Sequence, residues 1–238
     1  MRNYVVIGGS SGIGEAIVNL LEQNGENVIA TYKSNMRTDR SNVKYFSFNV
    51  ETDDLVIDDF PEELHGLVYC PGSINLKPFH RFKSEDFIDD FKLQVVGASK
   101  TIQQLLPKLK KSGDSSIVMF STIAVQQGFS FHSQVSISKG AIEGLTRALS
   151  AEFAPSIRVN AIAPGAVQTA FLSGGLAHGG EPGKAAKRVD LEAYKRLVPL
   201  GTVATAKEIA VPILFLLSDG SSHITGQTVH INGGALMV

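Results

Sequence analysis

The sequence has no tryptophan and only one cysteine, Cys70. No disulfide can therefore close within the chain, and such thiol usage suits a reducing compartment, so a cytoplasmic location is expected. Charge is nearly balanced, with 22 Lys and Arg against 23 Asp and Glu for a formal net charge of −1. Without a field of one sign, neither nucleic acid nor an anionic membrane is an expected partner. The cluster Lys108, Lys110 and Lys111 reads as a solvated helix end. No apolar run reaches the roughly 18–20 residues of a membrane span. Met1–Ile7 leads straight into an apolar strand, so no secretory signal is predicted. Internal repeats, a domain boundary and a metal-ligand cluster are also missing. What is present is a chain of 238 residues, 43% of them hydrophobic, enough to bury a large core in one α/β domain spanning 1–238.

Short apolar runs predict strands at Tyr4–Ile7, Asn27–Thr31, Lys44–Phe48, Gly66–Cys70, Ile117–Phe120, Ile157–Ile162 and Thr228–Ile231. Most are continuous rather than alternating, as expected when both faces of a parallel sheet are covered. Helical periodicity starts at Ile13 and stops near Asn24-Gly25. It returns over Ser84–Leu109, Ser133–Phe153 and Ala206–Leu217. Strands alternating with helices predict a doubly wound, Rossmann-type α/β fold with helices on both faces of the sheet. The stretch Tyr32–Val43 is at the lower limit for a parallel crossover, so no proper helix is expected there. The glycine-rich run Ser173–Gly183 follows the sixth strand, and a substrate lid over 170–198 is expected, with Phe171, Leu172, Leu176 and Leu197 forming an apolar wall.

The glycines Gly8, Gly12 and Gly14 sit between a predicted strand and a predicted helix. There the backbone can approach a ligand with no Cβ in the way, and the helix amino terminus can hold a diphosphate. The spacing G-x-x-x-G-x-G in GGSSGIG, with SIVMFST, SKGAIEGLTRALSAEFAPSIRVNAIAPG and AKEIAVPILFLLSDGSSHITGQTVHINGG following in order, resembles the short-chain dehydrogenase/reductase family. The resemblance covers nearly the whole chain. Within the family it is most similar to 3-oxoacyl-thioester and related carbonyl reductases.

That resemblance implies a seven-stranded parallel sheet with a nicotinamide dinucleotide across its carboxyl edge. Gly8, Ser10, Ser11, Gly12, Ile13 and Gly14 would form the phosphate turn. Asn49 and Val50 would border the adenine, and Gly72 the cofactor beyond the fourth strand. Pro164, Gly165, Val167 and Thr169 would border the nicotinamide carboxamide. After the second strand, a carboxylate would exclude a ribose 2′-phosphate. The chain instead has Thr31-Tyr32-Lys33-Ser34, with Arg37 nearby, so NADP is favoured and NAD remains possible.

The family's reaction is hydride transfer to or from a carbonyl or alcohol carbon, aided by Ser, Tyr, Lys and Asn. Lys139 matches the Lys. The Tyr position, four residues before it, is Val135. The Ser position, thirteen residues earlier again, is Thr122, with Ser121 beside it. The Asn position is Gln94. Val135 has no proton to give, and no tyrosine lies between 121 and 139. Tyr69, Tyr194 and His132 are the remaining candidate acids, His132 because imidazole can relay a proton near neutral pH. The leading expectation is an NADP-dependent oxidoreductase with an atypical tetrad, acting on a small ketone or alcohol as a homodimer or homotetramer. The alternatives are a dinucleotide-binding protein with little redox activity, or a different reaction using His132 or a serine.

Overall fold

A computed structural model describes residues 1–57, 60–169, 172 and 191–237. The seven apolar runs form one parallel sheet, and the helical segments between them supply its crossovers. In chain order the elements are β1 (Asn3–Ile7), α1 (Gly12–Gln23), β2 (Asn27–Tyr32), β3 (Val43–Ser47), β4 (Gly66–Tyr69), α2 (Ser84–Phe91), α3 (Gly97–Ser112), β5 (Ser115–Phe120), α4 (Ser133–Phe153), β6 (Ile157–Pro164), β7 (Val167–Gln168), α5 (Leu191–Leu197), β8 (Ala204–Thr205), α6 (Ala206–Leu217) and β9 (Thr228–Ile231). The sheet order is β3-β2-β1-β4-β5-β6-β9, with every pairing parallel. The order reverses between β1 and β4, which opens a crevice at their carboxyl ends.

Alternate residues of each strand feed two cores. On one face Val5, Ile7, Leu67, Ile117 and Met119 pack with Ala98, Ile102 and Leu105 of α3 and with Ile142 of α4. On the other, Val6, Val68, Val118 and Ile162 pack with Ile17, Val18 and Leu21 of α1 and with Ile209, Ile213 and Leu216 of α6. This period of two is concealed in the sequence because both faces are buried. Arg158, buried in β6, donates to the carbonyls of Leu216, Ser218 and Ser221, tying the end of α6 to the sheet.

Two details depart from the sequence pattern. The single long helix predicted over Ser84–Leu109 is two helices joined by a π turn at Lys92–Val96, where the Gly97 N–H reaches back to the Lys92 carbonyl. The Tyr69 hydroxyl donates to the Leu93 carbonyl within that turn, at 2.6 Å. The short pairing of β7 with β8 is an addition to the predicted strands. As expected, no helix joins β2 to β3, the segment holding only an isolated bridge between Arg40 and Val43. Much of the expected lid, including Phe171 and Leu176, lies outside the described residues, and α5 occupies its end. Among the described residues no helix is long and apolar enough to cross a membrane.

Candidate active site

The residues singled out from the sequence cluster where strands end. Behind β1, Gly8 and Gly12 have left-handed φ values of 75° and 54°, conformations that favour glycine. A Cβ on Gly14 would run into the Gly8 carbonyl, so α1 starts directly beneath the turn. The Gly8 N–H donates to Thr31 Oγ1 at 3.0 Å, so the β2 hydroxyl pins the turn. From the following loop, Asn35 Nδ2 and Arg37 Nε both donate to the Ser10 carbonyl, at 2.9 and 3.0 Å. Arg37 also pairs with Glu15 in the first turn of α1, at 2.7 Å.

Lys33, the cation chosen from the sequence, instead pairs with Glu51 at 3.1 Å. Arg37 is thus the cation held against the glycine turn, three residues beyond the segment that carried the expectation. Asn49 Oδ1 accepts from the Glu51 N–H at 3.2 Å, and Val50 is buried beside it. From the far side of the crevice, Thr169 lies within 3.5 Å of where a Gly12 Cβ would stand. Tyr194 sits at the loop after β6, its phenol oxygen accepting from the Ala166 N–H at 2.9 Å next to Pro164 and Gly165.

At the opposite end, Thr122 follows β5 and caps a short helical turn, its Oγ1 accepting from the Ala124 N–H at 3.3 Å. The hydroxyl proton remains available for a carbonyl oxygen. Its neighbour Ser121 is different: buried, it donates to Glu143 Oε1 at 2.6 Å. Glu143, one turn beyond Lys139 on α4, also accepts from Gln126 at 3.3 Å. The Ser136 hydroxyl bonds the Ala124 carbonyl at 2.9 Å, fastening the start of α4 to the loop that carries Thr122.

Val135 is 6% exposed and belongs to neither apolar core. Lys139 is buried one turn later, and desolvation lowers its pKa from 10.5 to about 8, with Asp90 and Cys70 opposing the shift. The ammonium and Gln94 Oε1 approach the same point, 3.6 and 3.3 Å from where a Cβ on Gly72 would be.

Of the other candidate acids, Tyr69 and His132 are engaged elsewhere. Tyr69 is 2% exposed, and burial raises its pKa well above 10 while its proton goes to Leu93. His132 Nδ1 bonds the Ser130 carbonyl at 2.8 Å, and its ring lies on Phe129. Burial pushes the Cys70 thiol up to about 12. Asp90, which sequence reasoning missed, is buried and bonded to Ser73, Gln94 and Ser138. The signal was available, as Asp90 lies one helical turn before Gln94 and shares its face.

Comparison with known proteins identifies the family and the fold. Residues 8–235 match the family model described as Enoyl-(Acyl carrier protein) reductase. The chain is 32% identical to L-xylulose reductase of Bos taurus, over 99% of this chain and 96% of that one. It is 28% identical to the 3-oxoacyl-(acyl-carrier-protein) reductase FabG of Rickettsia felis, over 100% and 98%. A solved short-chain dehydrogenase/reductase from Brucella melitensis, described as a glucose/ribitol dehydrogenase, superposes with a TM-score of 0.87 at 28% identity, covering 100% of this chain and 97% of the other.

Proposed function

Because the chain belongs to the short-chain dehydrogenase/reductase family and is an oxidoreductase of that type, we propose that it transfers a hydride between NADP(H) and a small ketone or alcohol. The observation carrying this reading is the alignment of Thr122 and Lys139 with the glycine turn along one edge of the sheet. Gly8 and Gly12 hold left-handed turns at the start of α1, and beside Gly72 the buried Gln94 Oε1 has no partner. These residues fit a dinucleotide. The bound nicotinamide would supply or accept the hydride.

In this reading the Gly8–Gly14 turn and the amino terminus of α1 hold the diphosphate. Arg37 and Asn35, at the Ser10 carbonyl, meet the 2′-phosphate, since guanidinium suits phosphate and β2 ends without a carboxylate. Asn49 and Val50 border the adenine, and Pro164 to Thr169 the carboxamide. Lys139 holds the nicotinamide ribose, and Thr122 polarises the substrate oxygen. Val135 supplies an apolar wall where a phenol would otherwise act. The relatives named as L-xylulose and 3-oxoacyl-(acyl-carrier-protein) reductases support carbonyl reduction as the working direction.

The protein acts as one cytoplasmic domain, 1–238, assembled as a homodimer or homotetramer. Exposed apolar Ile88, Phe91 and Ile137, on adjoining faces of α2 and α4, support that assembly.

The test is NADPH and NADH binding followed by oxidation of the preferred cofactor against a panel of small ketones. NADPH should bind about tenfold or more tightly, a margin of ~1.4 kcal/mol. Arg37→Ala should remove that margin while Lys33→Ala keeps most of it. Equal affinities in the wild type would overturn the NADP assignment, and tight binding without turnover on any ketone would overturn the reductase reading.

A further inference from the structure

Asp90 has no part in the function proposed above, yet it is the most completely bonded carboxylate in the site. It is 1% exposed, near the end of α2. Its Oδ1 accepts from the Ser73 hydroxyl and from Gln94 Nε2, the latter at 2.7 Å, and its Oδ2 accepts from the Ser138 hydroxyl at 2.5 Å. All three donors are neutral. A carboxylate buried this far calls for a compensating charge. Ser138 adjoins Lys139, whose ammonium is buried in the same place and makes no hydrogen bond to the described residues.

Gln94 links the two. A carboxylate can meet an amide only through its N–H, so Asp90 fixes which way the amide is turned. Gln94 Oε1 then faces the opposite side, buried without a partner, against the Gly72 backbone where Lys139 Nζ also lies. Two groups of the pair thus point at one small space, and the π turn is what places Gln94 there.

We propose that Asp90 is the positioning residue of a proton-donating pair: it holds Lys139 as an ammonium and turns the Gln94 carbonyl toward it, so that Lys139 delivers the proton that Val135 cannot give. This rests on the carbonyl-reduction reading. As the carbonyl carbon gains the hydride, the π pair of the C=O bond moves onto oxygen. That oxygen takes a proton from Nζ, directly or through one water; the N–H bond breaks and an O–H bond forms. Lys139 is left as a neutral amine and regains its proton from solvent.

The groups around Lys139 favour this assignment. Asp90 faces it from α2, Gln94 from the π turn and Cys70 from the end of β4. Ser138 and Glu143 come from its own helix. Cys70 is a neutral thiol at working pH, its pKa raised to about 12, and Glu143 is taken up by Ser121 and Gln126. Asp90 is therefore the anion that opposes the burial of Lys139, whose pKa of about 8 suits a general acid near neutral pH.

The test is the pH profile of kcat/KM for ketone reduction in the wild type and in Asp90→Asn. Activity should fall in the wild type as pH rises through about 8, and in the variant this limb should move down by about 1–3 pH units. A lower rate with an unmoved limb would mean that Asp90 serves packing only, and would overturn the inference. A second readout needs no turnover: the titration of Lys139 in protein labelled at the lysine ε-carbon, followed by NMR and assigned by its loss in Lys139→Arg. Its midpoint should drop in Asp90→Asn by a similar amount, and equal midpoints overturn the inference. If Asp90→Asn does not fold, Gln94→Leu is titrated instead. A lower midpoint is again expected, and an unchanged one overturns the inference. A wild type that binds NADPH but reduces no ketone at any pH would instead remove the reductase reading, and the delivery step with it.

Discussion

Replacing Val135 by tyrosine tests how much of a dehydrogenase site stands ready around one aliphatic residue. Val135 lies one helical turn before Lys139 on α4, so a phenol placed there shares a face with the ammonium. The side chain is 6% exposed and outside both apolar cores, so the added ring enters the crevice and does not compress a packed core. The stability cost should stay at or below the ~1–3 kcal/mol typical of overpacking. A positioned acid typically contributes about 10²–10⁴-fold, or roughly 3–5 kcal/mol of barrier. On the proposal that Lys139 delivers the proton, the lower end applies, and kcat for ketone reduction should rise about 10²-fold with KM for NADPH little changed. The assay is steady-state NADPH oxidation, with thermal unfolding as the check on folding. A folded variant that binds NADPH normally and shows no rise in kcat would refute the argument. Thr122, Gln94 and Lys139 would then not be arranged for transfer through a phenol.

Other consequences are equally concrete. The Lys139 pKa is lowered from 10.5 to about 8 in the fold, so between those values the unfolded chain binds a proton that the folded one has released. Stability of the cofactor-free protein should therefore rise with pH across that window, by up to about 3 kcal/mol, and Lys139→Met should flatten the rise seen in urea titrations. Cys70, raised to about 12, should be alkylated by iodoacetamide at neutral pH far more slowly than free cysteine, as mass spectrometry can follow. Gly97→Ala would press a methyl onto the Tyr69 hydroxyl and should cost about 1–3 kcal/mol. Tyr69→Phe in the same chain should recover part of that cost, and simple additivity of the two changes would count against the contact.

The strands and most helix limits were legible because buried parallel strands leave short apolar runs and α1, α4 and α6 carry clear helical periodicity. The Ser133–Phe153 and Ala206–Leu217 segments match α4 and α6 residue for residue. The π turn was not legible. One extra residue in a helical turn leaves an apolar pattern that still looks continuous from Ser84 to Leu109. Within the site, Thr122, Lys139 and Gly72 were picked out through the resemblance to the family, whose motifs recur at set spacings along the chain. Pairings between distant segments could not be read this way. Whether Lys33 or Arg37 reaches the glycine turn depends on how the loop after β2 folds back, and composition does not carry that. Asp90 was overlooked because acidic residues are common on α2; its spacing to Gln94 was legible, but the burial that sets it apart from Asp89 was not.

The π turn between α2 and α3 has one further consequence. At 3.6 residues per turn, each added residue advances a helix by about 100°, so the segments on either side run out of phase with each other. α3 can keep Ala98, Ile102 and Leu105 on the sheet while α2 aims Asp90 at Lys139. Deleting one residue from 92–96 would restore a continuous helix and leave α3 in place, yet swing the Asp90 face away by that angle. The chain carries two helical phases in one stretch, one set by the core and the other by the site.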